Sequence, residues 1–465
     1  MPLIPQSSLA IRLKRDLPPT PPLPSLAQTL ACRWAPLGFF ERCRDLYGSS
    51  FTLYPLDLPP VVLLSDAEDI RQVLAAPASV LHPGEGGQAL APIVGEHSFM
   101  IQDEGLHANG RRAIMPAFTR SAAEAHAEIA AEIAAQEIGT WPTDVPVALH
   151  PYLRRLTLRV ILRVVFGQES SELRALRERI LDMLDVTVSF VLVEPRLRRL
   201  PRWHATWRRF LKDRAEVDAI IARLIQRGRR SPAGRGDVLE ALLATRLADG
   251  SAMSDRQLRD NIVSVVLAGH ETTASELAWA FQLVAHTPRV NERITEEIDD
   301  GTDDSYLLAT IAEVLRHRPV FLFAIPRAVI EPIEIGGWTY RPPAQLLACI
   351  YLLQHDPVVY REPHLFQPER YLQDGPDPRA WLPWGGGRKR CPGNRLASIE
   401  MTAVLREALS QRELHPATDQ LERASWRSVI VTPSQGARVI LRARPSSARW
   451  RRAIMAKRAE SVSIT

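Results

Sequence analysis

One cysteine, Cys391, lies in a segment whose composition suits a sulfur that binds a metal. Residues 384–393 read WGGGRKRCPG, so glycines and cations precede the sulfur, and a helix pattern begins at Asn394. Nearby cations and a helix N-terminus lower the pKa of a thiol, and glycines let the backbone approach a flat ligand closely. A lone cysteine in such a loop suits the axial thiolate ligand of a haem iron. A flexible basic loop that contacts RNA is the alternative interpretation.

A second segment, residues 268–273 (AGHETT), interrupts a long apolar helix pattern. Two small residues, Ala268 and Gly269, are followed by an acid, Glu271, and a hydroxyl, Thr272. A carboxylate buried in an apolar helix is unfavourable unless it has partners, so this pair favours a functional role. The simpler interpretation is a close helix crossing at the two small residues, with the hydroxyls bonded to the preceding turn.

A third pattern pairs Glu313 with Arg316 at a spacing that puts both on one helix face. Such a pair is usually a surface contact with little effect on stability. Residues 310–315 are otherwise apolar, which indicates a buried pair that needs further partners. Arg370, in the segment FQPERY at 366–371, is a candidate for that role.

Together these segments resemble the motifs of the cytochrome P450 superfamily. Residues 384–393 are similar to its haem-binding loop, F-x-x-G-x-R-x-C-x-G, with Trp384 at the Phe position and Lys389 at the usual Arg position. Residues 268–272 match A/G-G-x-D/E-T, while 313–316 and 366–371 match E-x-x-R and F-x-P-E-R-F. The resemblance covers residues 18–442 approximately, and its motifs follow the family order.

The resemblance implies haem b (iron protoporphyrin IX) as cofactor, with Cys391 as the iron ligand and Trp384 packed near the sulfur. Haem carries two propionates, and cations that converge on them would stabilise their negative charge. The positions that bind propionates in the family match His107, Arg111, Arg327 and Lys389. Lys389 lacks the bidentate fork of arginine, so we expect its propionate contact to be weaker.

The family pattern also assigns roles to the segment at 268–272. Ala268 and Gly269 would leave room for dioxygen above the iron. Glu271 and Thr272 would be the catalytic acid–alcohol pair that delivers protons. Glu313, Arg316 and Arg370 would form a structural triad behind the haem.

The predicted activity is that of a haem-thiolate monooxygenase that hydroxylates or epoxidises a hydrophobic small molecule with dioxygen. The remaining chain has no room for a flavin or iron–sulfur domain, so electrons would come from ferredoxin and ferredoxin reductase or equivalent donors. The first alternative is a non-catalytic haem-thiolate sensor or carrier, which would not need the Glu271–Thr272 pair. The second, a nucleic-acid-binding protein, leaves the apolar helix with its acid unexplained, so we expect no nucleic-acid partner.

The resemblance implies a substrate pocket lined by five segments, whose mainly aliphatic and aromatic content favours a hydrophobic or amphipathic substrate. They are residues 82–100, 183–200, Val265, 321–325 and 431–435.

Composition sets the broad class. The chain has 465 residues, 46% of them hydrophobic, and a formal net charge of +5, which excludes disordered and collagen-like classes. Its four cysteines have no C-x-x-C spacing, so a disulfide scaffold or zinc knuckle is not expected. The first 24 residues contain neither a membrane-spanning run nor a secretion signal. We therefore expect a cytoplasmic monomer without a transmembrane anchor.

The element pattern predicts a mainly α fold with a small β region, the triangular cytochrome P450 fold in which a long central helix crosses the haem. We expect an extended Pro-rich arm at 1–24, one catalytic domain at 25–442, and a basic, partly disordered tail at 443–465. The capping box at 254–257 starts the long helix, which should run to His286. The predicted strands span 51–56, 61–64, 328–335, 338–340, 346–353, 428–432 and 439–441.

Overall fold

The computed structural model describes residues 17–444 except 168, 188–199, 232–233, 235, 248 and 302. Most of these residues are helical. The helices are α1 (Ser25–Trp34), α2 (Pro36–Tyr47), α3 (Ala67–Ala75), α4 (Pro83–Gly86), α5 (Ala91–Val94), α6 (Glu104–Ile114), α7 (Arg120–Ile138), α8 (His150–Phe166), α9 (Ser171–Thr187), α10 (Pro201–Arg230), α11 (Val238–Ala244), α12 (Asp255–Ala285), α13 (Pro288–Asp300), α14 (Ser305–His317), α15 (Ile350–Gln354) and α16 (Asn394–Gln411).

The strands form small sheets that draw on distant parts of the chain. They are β1 (Ser50–Leu53), β2 (Val61–Leu64), β3 (Leu81–His82), β4 (Pro146–Ala148), β5 (Arg327–Val329), β6 (Ile333–Ile335), β7 (Trp338–Tyr340), β8 (Gln345–Ala348), β9 (Arg412–Pro416), β10 (Ala424–Arg427), β11 (Ile430–Pro433) and β12 (Arg438–Ala443). One sheet has the order β1-β2-β8-β5-β3, another the order β4-β12-β9, and β6-β7 and β10-β11 are separate hairpins. Strands β2 and β8 pair in parallel, which joins two segments that are distant in the sequence.

Helix α12 is the long central helix that the sequence predicts. The Ser254 hydroxyl accepts from the Gln257 N–H while the Gln257 side chain accepts from the Ser254 N–H, so the predicted capping box is confirmed. The helix ends at Ala285, before the proline that begins α13. Residues 258–266 and 273–285 are buried, so most of α12 lies in the protein interior.

The predicted strand at 346–353 is wrong beyond Ala348. Residues 350–354 form α15, and this helical turn lets the Gln354 carbonyl accept from Arg316 Nη1 at 2.7 Å. The Gln354 side chain in turn donates to the Leu315 and Arg316 carbonyls. A fully buried apolar run has no polar face, so periodicity does not separate strand from helix there.

Other strand predictions need smaller corrections. The hairpin around Gly336 and Gly337 is confirmed, with φ of 60° and 78°, but the strand predicted at 328–335 is divided into β5 and β6. Strand β1 ends at Leu53 because prolines follow it, and β11 begins only at Ile430 because Ser428 has a φ of 58° in the preceding turn.

The buried pair at Glu313 and Arg316 holds α14 against the segment that leads to Cys391. Both side chains are fully buried, and two guanidinium nitrogens donate to the two carboxylate oxygens at 2.7 Å. Arg316 also donates to the Pro363 carbonyl, and Arg370 Nε lies 3.4 Å from Glu313 Oε1. The predicted triad is therefore present, and it has the further partners that its burial requires.

The chain before α1 lies along the first sheet. Leu17 is buried, and Thr52 on β1 donates from its hydroxyl to the Pro18 carbonyl and from its N–H to the Pro19 carbonyl, both at 2.8 Å. The rest of the predicted arm and nearly all of the predicted tail lie outside the described residues, so the domain boundaries stay predictions. Within the described residues, no helix is long and apolar enough to cross a membrane.

Candidate active site

The segment around Cys391 forms a closed loop on the surface of α3. The Cys391 N–H donates to the Trp384 carbonyl at 2.9 Å, and the Arg390 N–H donates to the Gly387 carbonyl at 3.2 Å. Gly387 has a φ of 62°, and a Cβ there would lie 2.1 Å from the Leu74 carbonyl oxygen. Only glycine fits this position, because any other residue would be strained at this positive φ and its Cβ would clash with the backbone of α3.

The Cys391 sulfur is held at the start of α16. The Gly393 N–H hydrogen-bonds to it, and the guanidinium groups of Arg111 and Arg390 act on it electrostatically. Burial nevertheless raises the pKa of the thiol, and these contacts offset only part of the effect. The expected lowering of this pKa by neighbouring cations is present, but burial outweighs it. Coordination to a cation would reverse the balance, since a coordinating thiol loses its proton.

The middle of α12 is accessible although the helix is buried on either side. Ala268 is exposed, and Gly269, Glu271 and Thr272 are partly exposed. The Thr272 hydroxyl donates to the Ala268 carbonyl at 2.6 Å. This stretch of small and polar residues is therefore the accessible part of an otherwise buried helix.

Gly269 has a second neighbour that the sequence does not predict. A Cβ at this position would lie 2.8 Å from the Ile161 side chain on α8. The helix-crossing interpretation of this glycine therefore applies, because the lack of a side chain lets α8 and α12 approach closely. Its predicted role beside dioxygen stays a prediction.

The Glu271 carboxylate does not bond to Thr272 but to two arginines. Arg154 Nε donates to Oε2 at 2.8 Å, and Arg427 Nε donates to Oε1. Both guanidinium groups also reach one oxygen of Asp185, at 2.8 and 3.1 Å. Asp185 lies near the end of α9 with its side chain 60% exposed, so this four-membered cycle connects the interior acid to the surface.

The charges around Glu271 keep it ionised. Burial raises the pKa of Glu271, but its neighbours lower it to about 2 overall: His270, which is charged only below a pH of about 3, and Arg154 and Arg427, which are charged throughout. Burial also lowers the pKa of His270 to about 3 and that of His150 to about 4, so both imidazoles are neutral at pH 7. The two arginines therefore supply the positive charge that holds the carboxylate.

The predicted propionate-binding cations converge on one cavity of about 420 Å³. Its lining includes His107, Arg111, Arg327 and Lys389, which come from three distant segments, together with Asp103. Neither Cys391 nor Ala268 lines this cavity. The structure thus brings three cationic side chains and His107 together, as a dicarboxylate ligand would require.

The chain matches proteins of known family over most of its length. The family model "Cytochrome P450" matches residues 17–441. The chain belongs to the cytochrome P450 family. A Mycobacterium tuberculosis P450 named "Putative cytochrome P450 135B1" is 35% identical over 437 residues, which cover 92% of each chain. A second protein of that organism, "Putative cytochrome P450 137", is 35% identical over 400 residues, covering 85% of this chain and 83% of the relative.

The same fold is found in solved P450 structures. A cyanobacterial CYP120A1 with bound retinoic acid has a TM-score of 0.80 and 22% identity, covering 92% of this chain and 99% of that chain. The cytochrome P450DA haem domain has a TM-score of 0.78 and 21% identity, covering 92% and 98%. Membership of the family makes this chain a haem-thiolate monooxygenase, an oxidoreductase whose cofactor is haem (iron protoporphyrin IX).

The residues of this P450 fit that cofactor. A single sulfur is fixed at a helix N-terminus, small residues are accessible on the buried central helix, and cations line one cavity. Arg111 uses Nη1 for the Arg390 carbonyl and Arg327 uses Nη1 for the Ile325 carbonyl. A guanidinium has five N–H donors, so both arginines keep donors for a carboxylate.

The other two side chains, Lys389 and His107, bond to backbone carbonyls, and their contacts with propionates stay predictions. The Lys389 ammonium donates to the Phe99, Met100 and Gln102 carbonyls at 3.2, 3.1 and 2.6 Å, which uses all three of its N–H groups. His107 faces the Phe99 carbonyl with Nδ1 at 2.8 Å and the Arg388 carbonyl with Nε2 at 3.1 Å. Both side chains therefore fix the segment at 99–102 to the cysteine loop.

Sequence analysis missed the partners of Glu271. Arg154 lies in α8 among buried Leu153 and Leu156, and an arginine within an apolar helix pattern was the available signal. Neither Arg427 nor Asp185 lies in a recognisable motif, so their convergence on Glu271 is visible only in the fold.

Proposed function

We propose that this P450 inserts one atom of dioxygen into a hydrophobic small molecule by hydroxylation or epoxidation, with electrons from separate redox proteins. The observation that carries the proposal is the accessible stretch of α12, where an ionised acid and a hydroxyl adjoin small residues. The alternative, a haem-thiolate sensor or carrier, gives this acid–hydroxyl pair no task.

Cys391 is the proposed iron ligand in this scheme. Arg111 and Arg327 are the proposed propionate partners, with His107 and Lys389 holding the loop beside them. Haem, when bound, supplies the iron at which dioxygen is activated. The protein would bind and orient the haem and the substrate, and it would exclude water from the site.

Thr272 and Glu271 are the proposed proton-handling groups. The Thr272 hydroxyl donates to the Ala268 carbonyl, so its oxygen can accept a hydrogen bond from water on the accessible side of α12. Glu271 is ionised, so it acts first as a proton acceptor, and Arg154 and Arg427 hold it beside the exposed carboxylate of Asp185. Proton transfer through Glu271 requires one of these arginines to release an oxygen.

An apolar substrate is the best match to the lining that the sequence predicts. Val265 is buried on α12, Phe321 is 37% exposed, and 431–433 are buried strand residues. Part of one predicted pocket segment, 188–199, lies outside the described residues. Exposed Arg388, Arg390 and Arg395 near Cys391 support an acidic ferredoxin as electron donor. Cytoplasmic location, a monomeric state and the domain boundaries complete the proposal.

Turnover with a surrogate ferredoxin and reductase tests the proposal on a panel of apolar compounds. We expect Thr272→Val to lower the fraction of electrons recovered in product by ~10²-fold, a typical effect of losing a positioned proton donor. Thr272→Ser keeps a hydroxyl and serves as the matched control. Coupled turnover in Thr272→Val equal to that of Thr272→Ser would refute the assignment, and haem-loaded protein without turnover of any compound would favour the sensor.

A further inference from the structure

A second buried carboxyl group, Glu276, lies on α12 one turn beyond Thr272. Its Oε1 accepts a hydrogen bond from the Val320 N–H at 2.9 Å, whereas Oε2 has no hydrogen-bond partner among the described residues. Burial raises the pKa of Glu276 to about 8, so the group is neutral at pH 7. Burying a carboxyl group with a single hydrogen-bond partner costs free energy. Its one bond, to the Val320 N–H, is therefore the contact that could explain why an acid stands at this position.

Glu276 belongs to a closed circuit of hydrogen bonds. The Val320 carbonyl accepts from the Val431 N–H at 2.8 Å, and the Val431 carbonyl accepts from Trp279 Nε1 at 3.2 Å. Trp279 follows Glu276 by three residues on α12, so the circuit returns to the helix where it began. Two segments distant in sequence are thereby fixed to one turn of α12.

The circuit lies on the face of α12 that carries the accessible residues. Ala268, Thr272 and Glu276 repeat at intervals of four, so they share one face of the helix. Ala268 is exposed and Thr272 partly exposed, whereas Glu276 is buried under the two attached segments. The circuit therefore lies where the accessible stretch of α12 ends and its buried part begins.

The two segments that the circuit attaches to α12 continue into residues of the proposed substrate pocket. Val320 is buried, but the next residue, Phe321, exposes 37% of its side chain. Val431 belongs to β11, the strand at which the predicted pocket segment 431–435 begins. A shift of either backbone at the circuit would move these side chains directly.

We propose that Glu276 is a positioning residue that fixes the Phe321 segment and β11 to α12 and thereby sets the shape of the substrate pocket. The inference rests on the proposed function, because the pocket it shapes is the one in which substrate would bind. Its role is geometric: the oxygen that accepts from Val320 matters, and a negative charge does not. An amide oxygen can replace that acceptor, whereas an aliphatic side chain cannot.

The test compares Glu276→Gln, Glu276→Leu and a control, Gln282→Leu, in the purified holoenzyme. Gln282 lies on the same helix and donates to the Arg438 carbonyl of β12, away from the circuit. One measurement is hydrogen exchange of the amides of Val320 and Val431. The other is the dissociation constant of imidazole and of a bulky aryl-substituted imidazole, from their shifts of the haem spectrum.

We expect Glu276→Leu to speed exchange at Val320 at least tenfold and to change the ratio of the two dissociation constants at least fivefold. Glu276→Gln should keep both values within twofold of the wild type, and Gln282→Leu should leave the ratio unchanged. An unchanged ratio and unchanged exchange in Glu276→Leu, or equal changes in Gln282→Leu, would overturn the inference. Failure of imidazole to shift any spectrum would refute the proposed haem site instead, while the exchange measurement would still test Glu276.

Discussion

Arg154 Nε on α8 donates to Glu271 Oε2 on α12 at 2.8 Å. This contact pairs the acid of the predicted acid–alcohol pair with an arginine 117 residues away, rather than with its sequence neighbour Thr272. Together with Arg427 it keeps Glu271 ionised inside the protein, so proton transfer at this site depends on how firmly two arginines hold one carboxylate.

The first prediction concerns acid stability. Glu271 has a folded-state pKa of about 2, below its ordinary value of ~4.3. Its contribution to stability is therefore complete above pH ~4.3 and lost as the pH falls towards 2, at up to ~1.4 kcal/mol per pH unit. Glu271→Gln should show a shallower fall of the free energy of unfolding across this range, as measured by denaturant titration. A slope equal to that of the wild type would contradict the charge assignment.

The second prediction separates the two roles of Lys389. Lys389→Met removes three hydrogen bonds from the carbonyls of 99, 100 and 102. We expect a loss of ~2–3 kcal/mol in the free energy of unfolding and faster hydrogen exchange of residues 99–102, even without added haem. Lys389→Arg is the matched control that keeps the charge. Weaker haem binding with unchanged exchange would show instead that Lys389 acts chiefly on a propionate.

A third prediction concerns the fully buried pair of Arg316 and Glu313. Arg316→Met removes the two hydrogen bonds that its guanidinium donates to the buried Glu313 carboxylate, which then keeps only Arg370 as a charged neighbour, and this should destabilise the protein by ~3–5 kcal/mol. The exposed pair of Arg289 with Glu369 offers a comparison, because Arg289→Met should change the free energy of unfolding by less than ~1 kcal/mol. Similar losses in the two variants would contradict the structural role of the triad.

The fourth prediction has the opposite sign of pH dependence. Burial raises the pKa of Glu276 to about 8, so the folded state keeps a proton that the unfolded state releases above pH ~4.3. The free energy of unfolding should therefore fall with rising pH until about 8, with a contribution of up to ~1.4 kcal/mol per pH unit. Glu276→Gln has no such group and should show a flatter profile between pH 5 and 8. Parallel profiles would mean that Glu276 is already ionised.

Sequence patterns predicted the parts of the site that lie in short local motifs. The cysteine loop, the 268–272 segment and the Glu313–Arg316 pair each have fixed spacing, so their elements follow from the sequence alone. The convergence of His107, Arg111, Arg327 and Lys389 was expected only through resemblance to a family; the four side chains line one cavity, and their role towards propionates stays a prediction.

The remaining features depend on tertiary contacts that no local pattern encodes. Arg427 and Asp185 reach Glu271 from a hairpin and from the end of α9, segments without a motif. The Lys389 ammonium donates to backbone carbonyls of residues 99–102, and the path of that segment past Lys389 is not visible in the sequence. Burial raises the pKa of the Cys391 thiol. The sequence shows the neighbouring charges, which lower this pKa, but it does not show how deeply the sulfur is buried.

The most direct test is the spectrum of the reduced, haem-loaded protein with carbon monoxide. A thiolate ligand predicts a strongly red-shifted Soret band, which should disappear in Cys391→Ser. Cys43→Ser is the control, because that cysteine is buried on α2. We expect the red-shifted band in the wild type and in Cys43→Ser only. Its absence from folded, haem-loaded wild type, or its survival in Cys391→Ser, would contradict the assignment of Cys391.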